Sequence, residues 1–483
     1  MLPKGFKFGF SEAGFQFEMG LSDPDTNSDW YQWVHDRRNI EKRLVSGDFP
    51  DNGPAYWDLF SKDHDNSKRM GMNSARLGVE WSRIFPKSTE SVGVGVEKDG
   101  NDLVAVDISE KDLEKLDKLA NHSALEHYRE IFYDFKSKMD YLVINLYHWT
   151  VPLWINNPNG NGDGIYGRPL GGGFEQRQAI EFSKFASYTA WKFDDLADSW
   201  CTMNEPNMVF LGCSHDTSLK ALSVRKKNFA EAHARAYDAI KKISKKPVGI
   251  IYANGDVQAH TPEDTRAKDT MTYVQRYSFF DSIINGDMKD YNRNIADSSE
   301  EPTDDFRTDM KNKLDWIGVN YYSRDVVQND GDSWKVMQGY GYATGNRNKS
   351  LDGRSVSEAG WEVYPDGIYN LLMEYHKRYH MPMFVTENGI ADHDDILRPR
   401  YIVSHMDRIE KAIAKGIRVD GYFHWSLTDN YEWANGFQMH FGIYGFDPVT
   451  KQRHLRPSAF VLKSIIENEG VPEEQRWMAD EKI

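Results

Sequence analysis

Two glutamates, Glu205 and Glu387, stand where short apolar runs break into polar and turn-forming residues. Met383-Phe384-Val385-Thr386-Glu387-Asn388-Gly389 stops on an acid, an amide and a glycine, and Ser199-Trp200-Cys201-Thr202-Met203-Asn204-Glu205-Pro206 repeats the device far upstream. A short apolar run bounded by a turn signal reads as a buried strand. Each carboxylate is therefore expected at the rim of a hydrophobic sheet. Two such acids facing one another can cleave an acetal with retention: one attacks the anomeric carbon, the other protonates the departing oxygen, and the pair stands about 5–5.5 Å apart. One must be ionised and the other protonated at the same pH, so their surroundings must differ. Arg76, within another apolar run, is the natural charge partner of Glu387 and favours its carboxylate. Tyr322 is placed to donate a hydrogen bond to the same group. Glu205 has no cation near it in sequence, and burial beside the Glu387 charge is expected to raise its pKa, as a general acid requires. A lone strand-end glutamate is more often a helix cap or salt-bridge partner. The joint pattern carries the reading.

Eight apolar runs must position these side chains: 6–10, 74–81, 141–149, 199–205, 247–254, 314–321, 383–387 and 421–427. Between many of them lie charged, helix-periodic stretches, at 56–70, 110–136, 175–196, 229–245, 365–378 and 401–415. Strand then helix, eight times over, predicts an α/β fold: a single (β/α)8 TIM barrel domain over residues 1–483 with elaborated loops at the C-terminal face. In that fold the strand ends share one mouth, which collects Gln16, Arg76, His148, Trp149, Asn204, Glu205, Asn320, Tyr322, Glu387, Trp425, Glu432 and Trp433. Such a polar, aromatic and acidic set suits a sugar pocket. Three polar segments, 87–107, 286–312 and 324–360, exceed ordinary connectors. The last follows a strand end and is the expected wall of the site. The charged tail from Pro472 is expected to be solvated.

The 483 residues are 40% hydrophobic and 28% charged, a composition able to bury a large core. A formal charge of -15 argues against nucleic acid or an anionic membrane as partner. No run is apolar and long enough to span a bilayer. Two cysteines, Cys201 and Cys213, imply no disulfide framework, and the N-terminus lacks a signal-peptide pattern, so a cytoplasmic protein is expected. No calcium loop, dinucleotide loop or closely spaced His/Cys set is complete, so no cofactor and no metal are expected.

At these residues the chain resembles the glycoside hydrolase family 1 β-glycosidases. The similarity runs through Phe6-Lys7-Phe8-Gly9-Phe10-Ser11-Glu12-Ala13-Gly14-Phe15-Gln16-Phe17-Glu18-Met19-Gly20, Arg76-Leu77-Gly78-Val79-Glu80-Trp81-Ser82-Arg83, Tyr147-His148-Trp149, Thr202-Met203-Asn204-Glu205-Pro206-Asn207, Phe384-Val385-Thr386-Glu387-Asn388-Gly389 and Trp425-Ser426-Leu427-Thr428-Asp429-Asn430-Tyr431-Glu432-Trp433. The stretch 244–254 looks most like archaeal, heat-adapted members. The resemblance implies Glu387 as nucleophile and Glu205 as acid/base. It implies Asn204 on the sugar 2-hydroxyl, with Gln16, His148, Glu432 and Trp433 on other hydroxyls, Trp425 as stacking floor, and Asn320 and Tyr322 at the reacting end. Glu432 would repel a 6-phosphate, so the expected substrate is an unphosphorylated β-glycoside with a terminal gluco-, galacto- or fuco-configured sugar. A homo-oligomer, tetramer or dimer, is expected by the same analogy. The loop at 208–225 departs from the family's longer form and bears on leaving-group preference; Cys213 within it reads as incidental. Two alternatives stand beside hydrolysis: a non-catalytic sugar-binding protein on the same barrel, and an enzyme that mainly transfers sugar to other acceptors.

Overall fold

The structure, a computed structural model, describes residues 2–158, 173–212, 218–289, 291, 305–331 and 333–480. Eight strands lie at its centre: β1 (Lys7–Ser11), β2 (Ser74–Gly78), β3 (Tyr141–Asn145), β4 (Ser199–Asn204), β5 (Val248–Ala259), β6 (Trp316–Asp330), β7 (Met383–Asn388) and β8 (Val419–His424). Each pairs in parallel with the next, and β8 returns to β1 with Lys7 opposite Gly421 and Phe10 opposite His424. The sheet thus closes into a ring, which leaves none of the eight with an open edge over the closed span.

The ring is filled as its sequence dictates. Val143, Cys201, Ile251, Trp316, Phe384 and Phe423, one from each of β3 to β8, form a buried apolar cluster. Strands alternate faces with period two. Asn204 lies three residues beyond inward-facing Cys201, and Glu387 three beyond Phe384, so regular strands would send both outward. Register shifts between Cys201 and Asn204, and between Val385 and Glu387, insert the extra residue that turns them back. Such irregularities re-aim side chains beside active sites.

Helices cover the outside. On Gln176–Phe193 the buried Ala179, Phe182, Phe185, Ala186, Ala190 and Phe193 recur every three or four residues, the stripe of a core-facing helix. Phe185 stacks on Trp81 with centroids 5.4 Å apart, and burying each ring stabilises the fold by roughly 1.5–3 kcal/mol.

Several expected boundaries move. The strand at 74–81 ends at Gly78, and Trp81–Ile84 is a helical turn. The helix expected over 110–136 is two, Glu110–Asp117 and His122–Lys138, because the Asn121 side chain accepts from Ala124 N and starts the second. The 208–225 loop is largely helical where described: Pro206–Gly212 begins on its proline, and Leu219–Ile243 is capped by Ser218. Cys213 lies outside the described residues. The tail is not simply solvated, since Val471 N and Arg476 bond Glu410, and Arg476 also reaches Asp407 at 3.0 Å. Segment 87–107 ends in a hairpin, over 95–107, whose Leu103 and Val106 are buried, and segment 286–312 lies mostly outside the described residues.

Candidate active site

Above the apolar filling, at the C-terminal ends of the strands, opens a cavity of about 460 Å³ lined by both Glu205 and Glu387. Gln16, His148, Trp149, Asn320, Tyr322, Trp425, Glu432 and Trp433 line it with them. Arg76 and Asn204, fully buried, stand behind the rim. The opposite mouth of the ring also holds a cavity, but its two acids, Asp315 and Asp420, are neutralised by Lys241 and Arg418.

The two glutamates keep different company. Arg76 Nη1 lies 2.7 Å from Glu387 Oε1, and the Tyr322 hydroxyl donates to Glu387 Oε2 at 2.7 Å. Burial and the Glu387 charge hold the Tyr322 phenol well above its ordinary pKa, so it remains a donor. Among the described residues Glu205 meets no such cation at contact distance; its Oε1 accepts from Asn320 Nδ2 at 2.8 Å. Burial first, and the Glu387 charge second, push the Glu205 carboxyl up to about 8. A neutral acid and an ion-paired carboxylate thus line one cavity near neutral pH.

Asn204 links the shells. Its Oδ1 accepts from Arg76 Nη1 at 2.7 Å and from Asn320 Nδ2 at 3.1 Å, which leaves Nδ2 as the group 3.2 Å from His148 Nε2. Burial, then the Arg76 charge, hold His148 well below its ordinary pKa, so the ring is neutral. Accepting at Nε2 puts its single proton on Nδ1. His148 Nδ1, Trp149 Nε1 and Gln16 Oε1 are buried without a partner among the described residues. Unpaired buried polar atoms are costly, and two donors and an acceptor beside one cavity match the hydroxyls of a sugar.

At that end Glu432 Oε2 accepts from Gln16 Nε2 at 3.2 Å and from Asn430 Nδ2 at 2.7 Å, which fixes the carboxylate. Trp433 is stacked on Phe15, with centroids 5.5 Å apart, and Trp425 packs 5.7 Å from the Arg76 guanidinium. Trp149, Glu205 and Trp433 hold φ of 74°, 49° and 51°. For bulky residues this backbone costs about 1–3 kcal/mol each and persists where the surroundings impose it, as at functional sites.

The cavity's other end is formed by residues absent from the strand-end set: Asn207, Met208, Leu211, Gln275, Asp325 and Tyr342. Tyr342 and Asp325 belong to 324–360, so the expected wall is partly present; β6 runs on through Arg324 and turns back as an antiparallel hairpin with Ser333–Val336. Burial pushes the Asp325 carboxyl up to about 7, with Arg276 opposing. Asn430, which bonds Glu432, sits inside the quoted tryptophan-rich motif without being singled out there, whereas Trp361 and Phe441, which line the cavity, carry no local signal.

Comparison with known proteins agrees with this geometry. The model of a family described as glycosyl hydrolase family 1 matches residues 1–100 and 117–471. A β-galactosidase of Sulfolobus acidocaldarius is 44% identical, across 98% of this chain and 96% of its own. The solved β-glycosidase of the hyperthermophile Thermosphaera aggregans superposes with a TM-score of 0.91 at 43% identity, covering 99% of both chains. A solved β-glucosidase mutant, derived from a hyperthermophilic tetrameric structure, gives 0.88 at 42% identity over 99% of this chain and 98% of that one.

Proposed function

The chain belongs to glycosyl hydrolase family 1 and is a retaining β-glycosidase; from that premise we propose which residues carry the reaction. The closed ring is a (β/α)8 barrel in one domain. Glu387, ion-paired with Arg76 and aligned by Tyr322, attacks the anomeric carbon. Glu205 gives its proton to the leaving oxygen, and the C–O bond breaks as the bond to Glu387 forms. Glu205, now ionised, takes a proton from water, which attacks the glycosyl-enzyme and frees Glu387.

Keeping the proton on Glu205 while Glu387 is ionised is what these surroundings favour: the cation lies at Glu387, not at Glu205. That contrast is the observation that supports the assignment. Asn320, bonded to Glu205, positions the acid. Asn204 Nδ2 has a second amide proton for the sugar 2-hydroxyl, a contact that strengthens in the transition state. Gln16, His148, Trp149, Glu432 and Trp433 bind the remaining hydroxyls of a terminal, unphosphorylated gluco-, galacto- or fuco-configured sugar above Trp425. An acidic Glu432 disfavours a 6-phosphate by simple repulsion.

We also propose a homo-oligomer, by analogy with the tetramer from which one solved relative derives; light scattering of the eluted protein tests it. The chemistry is tested with an activated 2-deoxy-2-fluoro-β-glycoside. Peptide mapping is expected to find one glycosyl group on Glu387, and a label on another residue would overturn the assignment.

A further inference from the structure

Glu358, His393 and His440 lie far apart in sequence but come together where three loops cross, with one ligand atom from each within 4.8 Å of the others. Glu358 precedes Trp361 in the loop leading from the β6 hairpin, His393 follows β7, and His440 follows β8. The Glu358 carboxylate accepts from the backbone N–H of His393 and of His440, so the two histidines' own main chains hold the acid beside them. His440 Nδ1 is 3.1 Å from Glu358 Oε2, and the His393 and His440 rings meet edge to face, with centroids 4.6 Å apart. We propose that these three side chains form a binding site for a divalent zinc-class cation that cross-links the three loops.

The donor set is two imidazoles and one carboxylate, which suits zinc and its neighbours far better than magnesium or calcium. Tetrahedral zinc, with bonds of about 2.0–2.1 Å, keeps its ligand atoms about 3.4 Å apart. The His440–Glu358 pair already meets that spacing, and rotation of the exposed His393 ring closes the rest. Water completes the shell from a neighbouring surface cavity lined by both histidines. Cations nearby do not repel the ion in net terms. Arg398, which donates to the His440 carbonyl, is ion-paired with Asp395, and Arg456 with Asp429. Asp394, beside His393, adds negative charge to that cavity.

The site has a path to the chemistry without being part of it. Phe441, next to His440, and Trp361 both line the active-site cavity and both pack on Tyr322, at 5.9 and 5.3 Å between centroids. Tyr322 in turn donates to Glu387. A cation joining the loops therefore stiffens the wall that holds the nucleophile's hydrogen-bond donor.

Chelator-stripped protein titrated with zinc chloride by calorimetry tests the proposal, with hydrogen exchange as a local readout. The expected result is one zinc per chain, an upward shift in Tm, and slower exchange in the segments carrying Trp361 and Phe441. His393→Ala and His440→Ala are expected to weaken binding at least about tenfold each, the scale on which even outer-shell partners act. Excess magnesium is expected not to compete. Zinc binding unchanged in the His393→Ala/His440→Ala double variant, no binding below millimolar zinc, or exchange slowed only elsewhere would overturn it.

Discussion

The C-terminal ends of β4 and β7 carry the same residue type, Glu387 turned inward by an irregularity of register and Glu205 placed just past a similar one at Asn204, with a positive φ. They differ in what surrounds it. At β7 a buried guanidinium and a phenol converge on Glu387. At β4 Glu205 receives one amide proton and the field of a neighbouring carboxylate, and burial raises its pKa to about 8. On the proposed assignment, the two roles follow from environment rather than from residue type.

The comparison can be broken most severely at β7. Glu387→Gln is expected to cut kcat/KM by roughly 10⁴-fold or more, since no other carboxylate can form the covalent intermediate. At β4 the effect should depend on the leaving group. Glu205→Gln is expected to cost about 10²–10⁴-fold for alkyl β-glycosides but far less in the glycosylation step for a dinitrophenyl glycoside, which needs no proton. Steady-state rates across a series of leaving-group pKa values check it. The same variant sharpens the contrast through stability. The folded pKa of Glu205 is raised, so its protonated form's contribution is full below about 4.5 and lost as pH rises through about 8. Glu205→Gln should therefore unfold at higher temperature than the parent above pH 8, as calorimetry would show.

How much of this was legible beforehand depends on whether a residue's neighbours are fixed by its own strand. Glu205, Glu387, Arg76 and His148 sit at or near strand ends, and Asn320 lies in β6 level with them, opposite Glu387, so period-two patterning brings them together once the ring closes. Tyr342, Trp361 and Phe441 lie beyond the strands in connections whose landing points depend on the tertiary fold, Asp325 lies in the part of β6 that runs on past the ring, and no local pattern marks any of them. The same holds for Glu358, His393 and His440, whose spacing in sequence fits no metal motif. The break at Asn121 was missed because a capping asparagine looks like an ordinary polar position until its side chain is seen to bond Ala124 N.

Smaller effects probe the supporting groups. Tyr322→Phe removes a hydrogen bond to a charged oxygen and is expected to lower kcat about 10–100-fold with little change in KM. Activity should fall on the alkaline side through about pH 8 as Glu205 ionises. Asn320→Ala removes a bond that favours the ionised form, so it should move that limb of the kcat/KM profile to higher pH. The smallest effect is expected at the far end of the cavity. Asp325→Asn should change relative rates on leaving groups by only a few fold, roughly 1 kcal/mol, and should leave the order of terminal sugars as it was.

The assignment of roles is tested most directly by the anomeric configuration of the azide products. Glu387→Gly, given azide and an activated β-glycoside, is expected to release the α-glycosyl azide, because azide enters in place of the missing nucleophile. Glu205→Gly is expected to release the β-glycosyl azide, because azide then intercepts the intermediate on Glu387. The reverse pairing, or β-product from both variants, would contradict the account.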